Sequence, residues 1–177
     1  GRISVELKDQ KDRVVYSFSK DLRIAGEKIV SDIFKTSLSG LNLWTPENPY
    51  LYKLNLKIES AISLSDEFSC NVGIRNIQFD PNKGMICNGN VTKLKGLCLH
   101  EDAGCFGNAV PKEVWKRRLE KLKSCGCNAI RMSHNPHSEE LYELCDEMGF
   151  FVMDEIYDEW QEPKNKWWQG HNVYPPS

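Results

Sequence analysis

Asn128-Ala129-Ile130-Arg131-Met132-Ser133-His134-Asn135-Pro136 is the stretch whose reading decides the fold. Residues 128–132 form a short, mostly apolar run of strand length, polar groups from Arg131 to Asn135 gather at its carboxyl end, and Asn135-Pro136 turns the chain toward a helix. The same design recurs on both sides. Upstream, residues 94–99 read as a buried strand ending in His100-Glu101-Asp102. A helix then opens at Pro111 with Glu113 in its first turn, places Trp115, Leu119 and Leu122 on one face, and stops at Gly126. Downstream, Leu141, Leu144, Cys145 and Met148 make an apolar stripe closed by Gly149, and the strand 150–153 ends in Asp154-Glu155. Strand, helix, strand, helix, strand, with crossovers of this length, predicts a parallel, right-handed sheet. Three polar clusters at one strand-end face mark an active site.

The first half alternates instead: Ile3, Val5, Leu7; Val14, Tyr16, Phe18; Tyr52, Leu54, Leu56, Ile58; Phe68, Cys70, Val72, Ile74. Period two predicts half-buried antiparallel strands, as in a sandwich. Asp80-Pro81-Asn82-Lys83-Gly84 and Asn88-Gly89 are turn signals flanking residues 85–87, which predicts a hairpin and a domain boundary near Asp80. The expected organisation is a β-sandwich over 1–79, incomplete at its N-terminus, and an α/β domain over 80–177. Three parallel strands fall short of a closed barrel, which takes eight strands and about 250 residues. With Gly1 at its start and Tyr174-Pro175-Pro176-Ser177 at its end, the chain reads as a piece of a larger protein.

With 23 basic and 25 acidic residues and a formal net charge of −2, the chain carries no electrostatic footprint for nucleic acid or an anionic membrane. It has no apolar run of about 18 residues. A soluble protein is expected, cytoplasmic or periplasmic, with no nucleic-acid or membrane partner. Seven cysteines, an odd number set mostly within strand and helix patterns, read as free thiols. Cys125-Gly126-Cys127 lacks the second pair a structural zinc site needs, and its glycine is already explained as a helix stop.

Three separated motifs resemble the family-two glycoside hydrolases, which include β-galactosidases, β-glucuronidases and β-mannosidases. Trp44-Thr45-Pro46-Glu47-Asn48-Pro49-Tyr50-Leu51-Tyr52, with Gly73-Ile74-Arg75, resembles that family's immunoglobulin-like sandwich. Asn88-Gly89 and Lys93-Leu94-Lys95-Gly96-Leu97-Cys98-Leu99-His100-Glu101-Asp102 resemble its first barrel strand. The opening stretch, with Leu144-Cys145-Asp146-Glu147-Met148-Gly149-Phe150-Phe151-Val152-Met153-Asp154-Glu155, is similar to its second and third.

The resemblance implies an immunoglobulin-like β-sandwich followed by the first three β/α units of a truncated TIM barrel. The implied parent is a retaining exo-β-glycosidase, most similar to a β-galactosidase, acting on a glycoside or oligosaccharide. Retention needs two carboxyl groups about 5–5.5 Å apart on opposite sides of the anomeric carbon. By the family pattern both are glutamates beyond Ser177, so this chain holds no catalytic residue and is expected to be inactive alone. Asp154, Glu155, Asp158 and Glu159 crowd one strand end and its loop, where they cannot flank a bond from two sides. By the same pattern His100 and His134 hydrogen-bond sugar hydroxyls, Arg131 supports the missing carboxylates, and Asp154 orients the network.

Each residue also has a structural alternative: a helix cap, a core imidazole, or an ion pair in which a buried arginine only meets its neighbour. Asn135 reads as the cap of the helix at Pro136 rather than a ligand. Trp160, Trp167, Trp168 and Tyr174 suit stacking on sugar rings as well as packing. Some relatives hold magnesium through a glutamate and a histidine two residues apart; the matching positions here are Glu159 and Gln161, and a neutral amide oxygen is a poor substitute for imidazole, so no metal or other cofactor is assigned. The alternatives are a β-glucuronidase or β-mannosidase, a non-catalytic carbohydrate-binding relative, and a doubly wound nucleotide-binding fold. The last lacks a glycine-rich loop after Leu99, where Glu101 and Asp102 would repel phosphate. The open strand edge at 150–154 predicts self-association into a homo-oligomer.

Overall fold

The computed structural model describes residues 1–23, 29, 31, 33–60 and 65–156. They belong to two compact units, Gly1–Val91 and Thr92–Ser177.

In the first unit β1 (Arg2–Lys8), β2 (Val14–Asp21), β3 (Tyr52–Glu59) and β4 (Ser65–Val72) form an antiparallel sheet in the order β2-β1-β3-β4. The alternation in the sequence sets the register. Val5 pairs with Phe18 and Leu56, and Leu7 with Tyr16 and Leu54, so apolar residues meet apolar residues across three strands. Their neighbours Ser4, Glu6 and Lys8 fall on the opposite face.

Ile74, expected in the fourth strand, lies just past it, where its carbonyl accepts the amide of Trp44 at 2.8 Å. Trp44 is fully buried, with the Arg75 guanidinium 4.5 Å from the centre of an indole ring. A Cβ at Gly73 would press on the same indole at 2.9 Å, which is why glycine stands there. The Asn88 side chain donates to the Trp44 carbonyl at 3.0 Å, joining the two sequence motifs of this unit.

A smaller sheet follows: β5 (Ile77–Asp80), β6 (Gly84–Cys87) and β7 (Asn90–Val91). Both predicted turns form. The Asp80 carboxylate accepts the amides of Asn82 and Lys83 at 2.8 Å, and Asn88 and Gly89 take φ of 51° and 83°, as a two-residue hairpin turn requires. By their contacts these strands group with the first unit.

The second unit runs β8 (Gly96–His100), α1 (Lys112–Ser124), β9 (Ala129–Ser133), α2 (Glu139–Met148), β10 (Phe151–Met153), with a short 3-10 turn at Gly104–Phe106. All three strands are parallel, with β9 central. Trp115 and Leu119 of α1, Ile130 and Met132 of β9, Leu141, Leu144 and Cys145 of α2, and Phe150 make one buried core. Burial pushes the Cys145 thiol up to about 12.

Both helices stop where glycine permits a left-handed turn: Gly126 at φ 83° and Gly149 at φ 76°. Their starts differ from the sequence reading. Pro111 caps α1 from outside, with extended backbone. α2 begins at Glu139 after Ser138, and the Asn135 amide instead donates to the Pro136 carbonyl at 2.9 Å, so Asn135 is not its cap.

At the opposite strand ends, the Asn128 side chain accepts the Lys95 amide at 2.7 Å and donates to the Lys93 carbonyl at 3.0 Å, tying β8 to β9 before either strand begins. Gly96 packs so closely on Ala129 that any side chain would collide with its carbonyl. Asn128→Ala removes both bonds and is expected to cost about 1–3 kcal/mol. The measurement is the urea midpoint; one matching the parent would contradict this role.

Candidate active site

Strand alternation decides which side chains meet at the carboxyl ends of β8–β10. Paired residues of parallel strands share a face, and Cys98, Arg131 and Met153 are in register, as are His100 and Ser133. Glu155, two residues beyond Met153, returns to that face. Asp154, one residue earlier, turns toward α2.

The contacts among Cys98, Arg131 and Glu155 follow this parity, and His134, one residue past the end of β9, joins them against it. The Arg131 Nε donates to Glu155 Oε1 at 2.5 Å, and His134 Nδ1 lies 2.9 Å from Glu155 Oε2. One carboxylate thus spans a guanidinium and an imidazole. The Arg131 Nη1 also reaches Cys98 Sγ at 3.2 Å. Both Glu155 and Arg131 approach His134 Nδ1, Arg131 at 3.5 Å. Arginine can only donate and an ionised carboxylate can only accept, so the shorter contact assigns the proton to Nδ1. Nε2 is left for another group. The Ser133–His134 peptide bond is cis.

The His100 and His134 rings meet edge to face with centroids 5.2 Å apart. They line an open cavity of about 450 Å³ together with Glu101, Asp102, Asn108 and Asn135. The cavity is polar and sits where the sequence placed the strand-end clusters.

Arg131 first, and His134 second, hold the Glu155 carboxyl below its ordinary range; the same ion pair raises Arg131. Asp154 accepts the Tyr142 hydroxyl at 2.8 Å and the Glu155 amide at 3.1 Å. Tyr142 in turn accepts the His137 amide at 3.0 Å. Burial is the main reason the Tyr142 hydroxyl titrates above its ordinary value.

Of the residues expected to build the site, His100, His134 and Arg131 are brought together. Asp154 stands on the other side of the strand, and Glu155 makes the direct contacts to Arg131 and His134. The strand register shows why: Met153 pairs with Arg131, and Glu155 has the parity of Met153. Tyr142 was not singled out in the sequence. Trp160, Gln161, Trp167, Trp168 and Tyr174, together with Asp158 and Glu159, lie outside the described residues. Among the described residues no cluster of three or more His, Cys, Asp or Glu side chains could hold a metal ion, and no helix is long and apolar enough to cross a membrane. All seven cysteines are free.

A β unit followed in sequence by a parallel strand-helix unit with polar groups at its strands' carboxyl ends defines the class of fold, a β domain and an α/β domain in one chain. The chain belongs to glycosyl hydrolase family 2: residues 1–75 match the model described as glycosyl hydrolases family 2 and residues 80–167 its TIM barrel domain. It is 47% identical over 122 residues to beta-galactosidase BoGH2A of Bacteroides ovatus, covering 69% of this chain and 14% of that protein. It is 35% identical over 153 residues to a beta-glucuronidase of Streptococcus agalactiae, covering 86% and 25% respectively. Among solved structures, a family 2 member from Bacteroides cellulosilyticus superposes with a TM-score of 0.81 at 32% identity, over 92% of this chain and 21% of that one. The chain therefore spans a quarter or less of the length of these relatives.

Because the folded Glu155 carboxyl titrates below its unfolded value, its pairing contributes fully above the unfolded value and is lost as pH falls through the folded one. Carboxyl-carbon NMR is expected to give Glu155 a midpoint below that of a free glutamate. In Arg131→Met the midpoint should move back up. A wild-type midpoint at or above the ordinary value would contradict the ion pair.

Proposed function

We propose that the chain is part of a retaining exo-β-glycosidase, a β-galactosidase, and supplies the floor of its sugar subsite. The observation that carries the proposal is the pair of imidazoles, His100 and His134, over the strand-end cavity, with His134 held by Glu155. A neutral imidazole with Nδ1 protonated toward Glu155 presents Nε2 as an acceptor for a sugar hydroxyl. Hydroxyl contacts that tighten in an oxocarbenium-like transition state lower the barrier by several kcal/mol, on the order given for such enzymes.

Glu155 is spent on Arg131 and His134, which suits a positioning group and not a nucleophile. By the family pattern the acid/base and nucleophile are assigned to glutamates beyond Ser177, with Arg131 near them, and this chain alone is expected to turn nothing over. In this reading residues 1–79 belong to an immunoglobulin-like sandwich and 80–177 open a TIM barrel whose first three strands are β8–β10. Trp160, Trp167 and Trp168 are candidates for stacking on the sugar. No metal is assigned, since Gln161 replaces a histidine ligand. Galactose is favoured by the 47% identity to a relative named beta-galactosidase; β-glucuronidase is the second reading, favoured by the beta-glucuronidase at 35% identity.

The test is hydrolysis of aryl β-galactoside, β-glucuronide and β-mannoside by the full-length protein, with His134→Ala in parallel. The galactoside should be cleaved preferentially, and His134→Ala should lose about 10²-fold or more in kcat/KM, roughly 3 kcal/mol of transition-state stabilisation. Cleavage of the glucuronide alone would transfer the assignment to a β-glucuronidase. No cleavage of any of the three would favour a carbohydrate-binding relative.

A further inference from the structure

We infer that Tyr142, on helix α2, is a positioning residue for the His134–Glu155 pair, acting through Asp154. The inference rests on the strand-end site being the working site, as proposed above. Tyr142 touches neither histidine. Its hydroxyl stands at the junction of two loops: it accepts the amide of His137, just beyond β9, at 3.0 Å and donates to Asp154 Oδ1, just beyond β10, at 2.8 Å.

The same Asp154 oxygen accepts the Glu155 amide at 3.1 Å. Asp154 is thereby fixed between a helix side chain and the backbone of the residue that does the pairing. Glu155 then reaches Arg131 and His134 from the opposite side of the strand. Adjacent residues on an extended chain cannot share a face, so a carboxylate facing the site can be steered from the helix layer only through its neighbour's backbone. The Tyr142–Asp154–Glu155 path does this. A further polar contact of the His137 loop also serves it, because the His137 ring Nδ1 lies 2.9 Å from the Asn135 carbonyl, bracing the loop that follows His134.

With the hydroxyl gone, Asp154 keeps one partner instead of two and the Glu155 backbone loses its fixed acceptor. Glu155 would still be charged but less well aimed, and a loosely held carboxylate supports His134 in the transition state less than one held in place.

The experiment compares wild type with Tyr142→Phe, Asp154→Ala and Asp154→Asn in the full-length protein. Two readouts are taken: backbone amide hydrogen exchange at Glu155, and kcat and KM for an aryl β-galactoside. Tyr142→Phe keeps the packed ring. It is expected to speed Glu155 amide exchange about tenfold and lower kcat about tenfold with KM within about twofold. Asp154→Ala should do the same, while Asp154→Asn, whose amide oxygen can still accept both bonds, should exchange the Glu155 amide more slowly than Asp154→Ala. Should Tyr142→Phe fail to fold, Asp154→Ala and Asp154→Asn carry the comparison. Unchanged Glu155 exchange in Tyr142→Phe, or Glu155 exchange in Asp154→Asn as fast as in Asp154→Ala, would overturn the inference. If the wild type cleaves no glycoside, the proposed function fails, and the exchange data alone still decide whether Tyr142 positions Glu155.

Discussion

One carboxylate holding a guanidinium and an imidazole is the interaction on which the strand-end site depends. Glu155 meets Arg131 at 2.5 Å and His134 at 2.9 Å. An ionised carboxylate has acceptor capacity for both, and neither donor can satisfy the other, since guanidinium has no lone pair to offer an imidazole N–H. Without Glu155, Arg131 and the protonated edge of His134 would face each other. With it, the imidazole is fixed in one tautomer, with its second nitrogen free to take part in the cavity it shares with His100.

That carboxylate is in place because the register of the sheet beneath it is single-valued. Ile130 and Met132 are buried against both helices, which forces Arg131 and Ser133 to the other side of β9. A one-residue slip would bury Arg131 and expose the core, so the hydrophobic pattern enforces the site's geometry. Asn128 secures the same register from the far end by binding the backbone at both Lys93 and Lys95. In the first unit Trp44 plays a comparable part, gathering Gly73, Ile74, Arg75 and Asn88 around one buried indole.

Much of this was legible before any coordinates. Period-two runs located β1 to β4, Asn88-Gly89 and Asp80 located the turns, and Gly126 and Gly149 located the helix stops. Those signals are local, and local sterics decide them. The exchange of roles between Asp154 and Glu155 was harder to read: two acids in a row look alike until β10 is set in register with β9, and register is a property of the pair of strands. The start of α2 was misplaced because Pro136 suggested a first-turn proline, whereas the Asn135 side-chain amide satisfies the Pro136 carbonyl and the backbone at Ser138, just before the helix, is extended. Tyr142 was invisible as a polar residue because its ring belongs to the helix's packed face and only its hydroxyl reaches the loops.

The most direct test of the central claim is the tautomer of His134, read from its imidazole nitrogen shifts by NMR at about pH 8, above the ordinary histidine range. The proton should reside on Nδ1 in the wild type and lose that preference in Glu155→Leu, which has no acceptor to offer. A wild-type ring protonated on Nε2 would mean that Glu155 does not hold His134, and the account of the site would fall with it.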